Sequence, residues 1–345
     1  MNNKDLLNLT LSEIEELFTS RGLPRFRAKQ VYGWLIKGYD YHEMNNLPKS
    51  LREQLTELYP LSLPKIYRKL VSKIDGTVKY LFELSDGQKI ESVLMKYEHG
   101  YSICISCQAG CRMGCGFCAS TLNGLYRNLE PAEILGQVIM AGRDTGVRIS
   151  NIVMMGIGEP LDNYDNVVRF LRLVNDENGL NIGYRHISVS TCGVVDGIRA
   201  LAREDLPITL SISLHFTRDE DRSEMMPVNR KWSITELLSA CSDYFKATGR
   251  RISFEFTLIR GKNDTEKVAI ELADLLKRHL GASTPMHVNL IPVNEVEERG
   301  LKPSERNSVN RFCKILNDRG VNATVRRKLG SDVNASCGQL RYNEG

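Results

Sequence analysis

The chain has 345 residues, of which 26% are charged, and a formal net charge of +4. That is long enough for about two domains and a large core, and basic enough to permit nucleic-acid binding without arguing for it. It has neither an N-terminal apolar leader nor an apolar run near the roughly 20 residues that a membrane span requires, so no membrane association and a cytoplasmic location are expected.

Elements are legible from the start of the chain. Leu11 to Phe18 has helical spacing with Ser12 as a candidate cap, Arg27 to Ile36 places Val31, Trp34 and Leu35 on one side, and Ser50 is placed to cap a helix through Leu51, Leu55 and Leu58. Between residues 66 and 97 the pattern turns to alternating, β-rich runs. Thr77 to Leu84 and Ile90 to Met95, separated by Ser85-Asp-Gly87, read as a hairpin. Residues 1–95 are therefore expected to form a small, mostly helical accessory domain with a β-hairpin linker, and residues 96–345 the core domain. Three basic clusters stand out: Arg21, Arg25, Arg27 and Lys29; Arg250-Arg251; and Arg326-Arg327-Lys328. Each taken singly reads as a solvated face. Tyr32 and Trp34, interleaved with Arg27 and Lys29, suit core packing better than stacking on RNA.

From residue 100 strands and helices alternate. Strands are expected at 152–155, 186–190, 208–213, 252–256, 287–291 and 323–326, with helices at 166–171, 234–245 and 268–280 between them. Repeated β-α units favour a parallel α/β sheet, and about six of them fit a partial (β/α)6 barrel better than an open doubly wound sheet. Active-site groups in such barrels collect where the strands end. Those ends carry Gly156-Ile-Gly158-Glu159-Pro160, Ser190-Thr191, Ser213-Leu214-His215, Asn289 and Asn294. The Gly-x-Gly turn reads either as a tight β-α connection or as a place where carbonyls approach a ligand beside a carboxylate, which would suit an ammonium group.

The nine cysteines are an odd number, and in a reducing compartment clustered thiols point to metal or redox chemistry rather than a disulfide scaffold. Cys111, Cys115 and Cys118 follow a C-x3-C-x2-C spacing that can ligate three corners of a 4Fe-4S cluster and leave one iron open to a small molecule. A zinc site is the alternative, but no fourth Cys or His follows Cys118 closely. Cys241 and Cys313 share helical faces with apolar residues and read as core. Cys192 is ambiguous.

The cysteine spacing resembles that of the radical S-adenosylmethionine (SAM) enzymes. Taken with Cys104, Gly156-Ile-Gly-Glu-Pro-Leu-Asp-Asn163, Ser211 to His215, Met226-Pro-Val-Asn229, Val288 to Pro292 and Asp332 to Leu340, the chain resembles the RlmN/Cfr family of radical SAM RNA methyltransferases over nearly its whole length. The resemblance implies a 4Fe-4S cluster on Cys111, Cys115 and Cys118. It implies SAM contacts from Gly158, Glu159, Ser190, Ser213, Leu214, His215 and Asn294. It also makes Cys337 the methylated cysteine, Cys104 its resolving partner and Glu91 the general base. Cys107 stands where the family is expected to have serine.

The implied reaction is methylation of carbon 2 of an adenosine in the peptidyl-transferase centre of 23S rRNA, and in some members of an adenosine beside a tRNA anticodon. Two SAM molecules are used per turnover: one methylates Cys337, and the other is reductively cleaved to a radical that activates the methyl carbon for addition to the ring. The resulting covalent adduct is released by Glu91 and Cys104. An electron donor such as a flavodoxin or ferredoxin is implied, and a monomer is expected. Methylation at carbon 8, as in the Cfr branch associated with ribosomal antibiotic resistance, a radical SAM enzyme acting on a non-RNA substrate, and a non-catalytic RNA-binding iron-sulfur protein are the alternatives.

Overall fold

The computed structural model describes residues 5–281, 284–294, 296–336 and 339. Three helices come first: α1 (Leu11–Ser20), α2 (Arg25–Leu35) and α3 (Lys49–Leu58). The cap of α1 is Thr10 and not Ser12, because Thr10 and Glu13 satisfy each other's backbone N-H groups in a capping box. α3 opens one residue before the expected Ser50 cap, behind Pro48 and without a side-chain cap. Apolar faces of the three helices join the main core through Ile14, Phe18, Val31, Leu35, Leu51 and Leu55. Trp34 is half-buried, donating to Asn46 Oδ1 at 2.8 Å and meeting Tyr39 edge-on, so it serves packing.

Strands β1 (Lys65–Val71), β2 (Val78–Glu83), β3 (Lys89–Tyr97) and β4 (Gly100–Cys104) follow as an antiparallel series. A small two-stranded sheet of β5 (Gln108–Gly110) and β6 (Leu125–Asn128) flanks the cysteine loop. The rest alternates: α4 (Pro131–Thr145), β7 (Ile149–Met154), α5 (Tyr164–Asn175), β8 (Ile187–Thr191), α6 (Val195–Leu201), β9 (Thr209–Ser213), α7 (Asp219–Met225), α8 (Ile234–Thr248), β10 (Ile252–Leu258), α9 (Glu266–Leu280), β11 (Met286–Pro292), α10 (Arg306–Asp318) and β12 (Ala323–Val325).

One ten-stranded sheet runs β1-β2-β3-β4-β7-β8-β9-β10-β11-β12, parallel from β4 onward. The expected α/β arc of the radical SAM type is present, with a helical N-terminal region. Its first parallel strand, β4, was not singled out in the sequence, being five residues long and ending on an ambiguous cysteine. β3 pairs with β2 on one side and β4 on the other, so the antiparallel strands extend the parallel arc as a single sheet. Every residue of β10 is buried, with Phe254 and Phe256 in the core and Ser253, Glu255 and Thr257 alternating to the opposite face. That polar face fronts the site.

Among the described residues no helix is long and apolar enough to cross a membrane.

Candidate active site

The cysteine loop is fixed at both ends before its thiols are considered. Gly110 adopts φ +78°, and a Cβ there would collide with the Gly124 carbonyl, so only glycine lets β5 and β6 close. Cys111 N-H then donates to Gly124 O at 2.8 Å, and Gly116 N-H to Met225 O at 2.8 Å, tying the loop to the end of α7. Arg299 donates to Cys118 O at 3.1 Å and Thr121 Oγ1 at 2.8 Å, and Thr121 donates in turn to the Cys118 carbonyl at 3.1 Å.

Cys111, Cys115 and Cys118 line a pocket of about 150 Å³ together with Gly156, Gly158 and Glu159, Ser190 to Cys192, Ser213, His215 and Asn294. Burial pushes the Cys111 thiol up to about 12 and raises Cys115 as well, with the neighbouring thiols and Glu159 adding to the effect. Coordination to a cation reverses this, since a ligating thiol is deprotonated outright. The donor set therefore fits an iron cluster held by three thiolates. Cys192 packs against Cys115 in the same wall, which resolves its ambiguity in favour of the site.

Glu159 is 3% exposed and lies in the turn after β7, capping a short 3-10 helix. Its Oε1 accepts from Leu161 N-H at 3.0 Å and its Oε2 from Cys192 N-H at 2.7 Å, while burial raises its pKa. No cation pairs with it among the described residues. A buried carboxylate held by backbone N-H groups and by the neutral Thr191 and Cys192 side chains suits an ammonium group such as that of SAM. The glycines before it have another purpose: a Cβ on Gly156 would lie 2.5 Å from Ile105 O, and one on Gly158 (φ +108°) 2.7 Å from the Gln108 side chain. Close packing on the β4–β5 segment therefore requires glycine at both positions, and both also line the pocket.

His215 follows β9 in a left-handed conformation, φ +58°. Its Nδ1 accepts from Thr257 N-H at 2.9 Å, and its ring meets Phe117 of the cysteine loop edge-on at 4.8 Å. Burial, with the nearby Arg222 charge, lowers its pKa to about 3, so it is a neutral acceptor. Leu214 lies in the main core and not in the pocket wall.

A second cavity, of about 900 Å³, adjoins the first and shares Met155, Ile291, Val293, Asn294 and Arg326 with it. Its wall includes Cys104 at the end of β4, the basic run Arg326-Arg327-Lys328, and Ser336 and Gln339. Cys337 lies outside the described residues. Glu91 is 2% exposed and lies beside this cavity rather than in its wall, with its Oε1 at 2.6 Å from Lys79 Nζ. By strand pairing Glu91, Val93, Lys79 and Cys104 fall on one face of the sheet.

Several site residues were not foreseen. Glu255 lines the cluster pocket, accepting from Asn289 at 2.8 Å and Ser253 at 3.2 Å, with Arg326 at 3.6 Å; burial raises its pKa. The polar alternation Ser253-Phe-Glu-Phe-Thr257 was the available signal. Arg326 had been read as part of a solvated cluster, yet it lies at the junction of both cavities.

The comparisons with known proteins agree with this geometry. Residues 105–273 match the radical SAM superfamily, and residues 4–60 match the ribosomal RNA large subunit methyltransferase N-terminal domain. A relative from Alkaliphilus oremlandii, named a probable dual-specificity RNA methyltransferase RlmN, is 54% identical over 99% of this chain and 98% of its own. The chain belongs to the RlmN family of radical SAM methyltransferases. The family member of the same name from Clostridium tetani is 52% identical over 98% of this chain and 95% of its own. A crystal structure of a radical SAM methyltransferase from Sphaerobacter thermophilus superposes with a TM-score of 0.92 at 44% identity, covering 97% of this chain and 98% of that one. Family membership brings with it a 4Fe-4S cluster and SAM, for which the pocket at Cys111, Cys115, Cys118 and Glu159 is the fitting place.

Proposed function

We propose that the protein is an RNA methyltransferase that modifies carbon 2 of an adenosine in the peptidyl-transferase centre of 23S rRNA, and an adenosine beside a tRNA anticodon. The observation that carries this reading is the basic cavity. Cys104, Arg326, Arg327 and Lys328 share its wall with Ser336 and Gln339, which flank residues 337–338, and it opens onto the cluster pocket. An anionic strand suits the basic rim, and an adenine must leave its stack to reach a thiol in such a cavity. Names of the relatives support an RNA substrate, and the match at residues 4–60 supports residues 1–95 as an RNA-binding accessory unit.

The bound cluster and SAM supply the methyl carbon and, with one electron from a flavodoxin- or ferredoxin-type donor, the means to activate it. Everything else falls to the chain's own side chains. Cys337 carries the carbon to be transferred, as a thioether, and is joined through it to the ring. Glu91 takes the ring proton. Cys104 thiolate attacks the Cys337 sulfur; an S–S bond forms as the bond from that sulfur to the bridging methylene breaks, its electron pair stays on that carbon, and the carbon takes a proton, such as the one Glu91 has removed from the ring, to become the methyl group on the base. Glu91 and Cys104 share one face of the sheet, two strands joined by direct pairing, which supports their acting on one adduct.

The test uses the paired cysteines. Cys104→Ala protein purified from cells should carry covalently attached RNA, visible on a denaturing gel and removed by nuclease, because the adduct forms and is not resolved. Cys337→Ala should carry none and yield no modified adenosine by mass spectrometry. A Cys104→Ala enzyme free of RNA and fully active would sink the covalent route.

A further inference from the structure

Arg222, on α7, is the largest fully buried side chain in the described structure. A charge taken out of water is costly unless an opposite charge meets it. Among the described residues none does. Its guanidinium donates from Nε to Leu214 O at 3.1 Å, from Nη2 to Cys192 O at 2.6 Å and Ser213 O at 3.1 Å, and from Nη1 to Asn229 Oδ1 at 2.8 Å. All four acceptors are neutral, so each guanidinium nitrogen has a hydrogen bond while no described carboxylate touches the charge, and Asp219 acts on it only from a distance. Asn229 turns its amide nitrogen to Asp219 Oδ1 at 2.9 Å, which leaves that carboxylate one amide removed.

The position of the side chain indicates where the missing negative charge belongs. Two of its acceptors, the Cys192 and Ser213 carbonyls, come from residues that line the cluster pocket. Three residues further along its helix, Met225 O accepts from Gly116 N-H of the cysteine loop, and Met226 packs with Cys115 and Cys192. A 4Fe-4S core on three thiolates is anionic, and more so after taking up an electron; charge and hydrogen bonding around such a cluster set its potential.

The geometry points to Arg222 as the counter-charge of the iron-sulfur cluster, favouring its one-electron-reduced state. The guanidinium touches neither substrate nor the reacting atoms in this arrangement; it acts through the field at the cluster. A plainer role, pinning the ends of β8 and β9 through the three carbonyls, predicts a different result.

Arg222→Lys keeps the charge and gives up most of the hydrogen bonds, whereas Arg222→Gln gives up the charge and keeps an amide donor. Far-UV spectra of the apo chains come first, followed by anaerobic reconstitution and a dithionite titration read by electron paramagnetic resonance. In Arg222→Gln the equilibrium for one-electron reduction should fall about tenfold, a midpoint about 59 mV more negative for one electron. Arg222→Lys should stay within about threefold of the parent, well inside that tenfold shift. Iron retained by the Lys variant and lost from a folded Gln variant also supports the assignment. An unchanged potential in Arg222→Gln overturns it. So do equal shifts in both variants, loss of iron from both or from the Lys variant alone, or unfolding of the apo Gln chain, each of which makes the hydrogen bonds rather than the charge decisive.

Discussion

The two adjoining cavities have opposite electrostatic characters. In the cluster pocket the buried carboxylate of Glu159 has no cationic partner among the described residues, and its oxygens are held by backbone N-H groups. In the larger cavity the order is reversed: Arg327 and Lys328 sit exposed in the wall, while the nearby acid, Glu91, is already matched by Lys79 at 2.6 Å. An acid without a cationic partner among the described residues suits a cationic small molecule, and a wall in which Arg326, Arg327 and Lys328 outnumber Glu297 suits a polyanion. Arg326, 3.6 Å from Glu255, belongs to both walls and marks the border. Two ligands of opposite charge can thus be brought together without competing for the same side chains.

The largest effect expected is on the cluster itself. Cys115→Ala should leave reconstituted protein without its 4Fe-4S absorption and without SAM cleavage, since two thiolates cannot hold the cluster in place. Cys241→Ala is the control. It removes a fully buried thiol from the main core, so it should keep the cluster and cost about 1–2 kcal/mol in thermal or denaturant unfolding through the small cavity left behind. Stoichiometric zinc without iron in the parent protein would break the comparison at its root.

A smaller pair of effects tests the charge division directly. Glu159→Gln should weaken SAM binding about tenfold to a hundredfold, roughly the 1.5–3 kcal/mol of a charged hydrogen bond, and leave RNA binding unchanged. Because burial raises the pKa of Glu159, the parent should lose SAM affinity as pH falls through that raised value and the carboxylate is protonated. That part of the pH dependence should vanish in the Gln variant. Arg327→Ala should do the converse, leaving SAM affinity alone while lowering RNA affinity and reducing the salt slope by about 1. Calorimetry with SAM and filter binding with RNA over a salt series read the two arms. Crossed effects would show that the cavities are not separated as the walls suggest.

How legible each side was in the sequence follows from how it is built. The cluster pocket is assembled from short motifs, the cysteine spacing and the residues at successive strand ends, and a periodic β-α pattern is enough to predict that strand ends converge. The larger cavity draws on both ends of the chain: Cys104 on β4, then Arg326 to Ser336 more than two hundred residues later. No local spacing reports such a meeting, and without the family resemblance Cys104 read equally well as a buried strand residue. Arg222 was overlooked for a related reason. Seven-residue α7 is dense in charge, Asp219-Glu-Asp-Arg-Ser-Glu-Met225, and reads as a solvated face until the fold turns one of its charges inward.

The smallest effect expected concerns Cys107, which stands where the resemblance leads one to expect serine. It lies 2% exposed under the Gly156–Glu159 turn, with its Sγ 3.8 Å from Ile157 O and its own N-H donating to the same carbonyl at 2.9 Å. Burial raises its pKa well above the ordinary thiol value, with the Glu159 charge acting in the same direction, so it stays a neutral thiol and a poor nucleophile. It does not line the cluster pocket, which places it behind the turn and not among the ligands. Cys107→Ser exchanges a long, weak S-H contact for a hydroxyl that can donate to the same carbonyl, at the expense of a slightly smaller side chain. The two changes oppose each other, and stability should move by less than about 1 kcal/mol. Iron content and SAM affinity should be those of the parent. The informative readout is alkylation of the native apo protein: Cys107 should be protected and its replacement should leave the number of fast-reacting thiols unchanged. A Cys107→Ser protein that loses iron would place this thiol at the cluster after all and move the boundary between core and pocket to the other side of the turn.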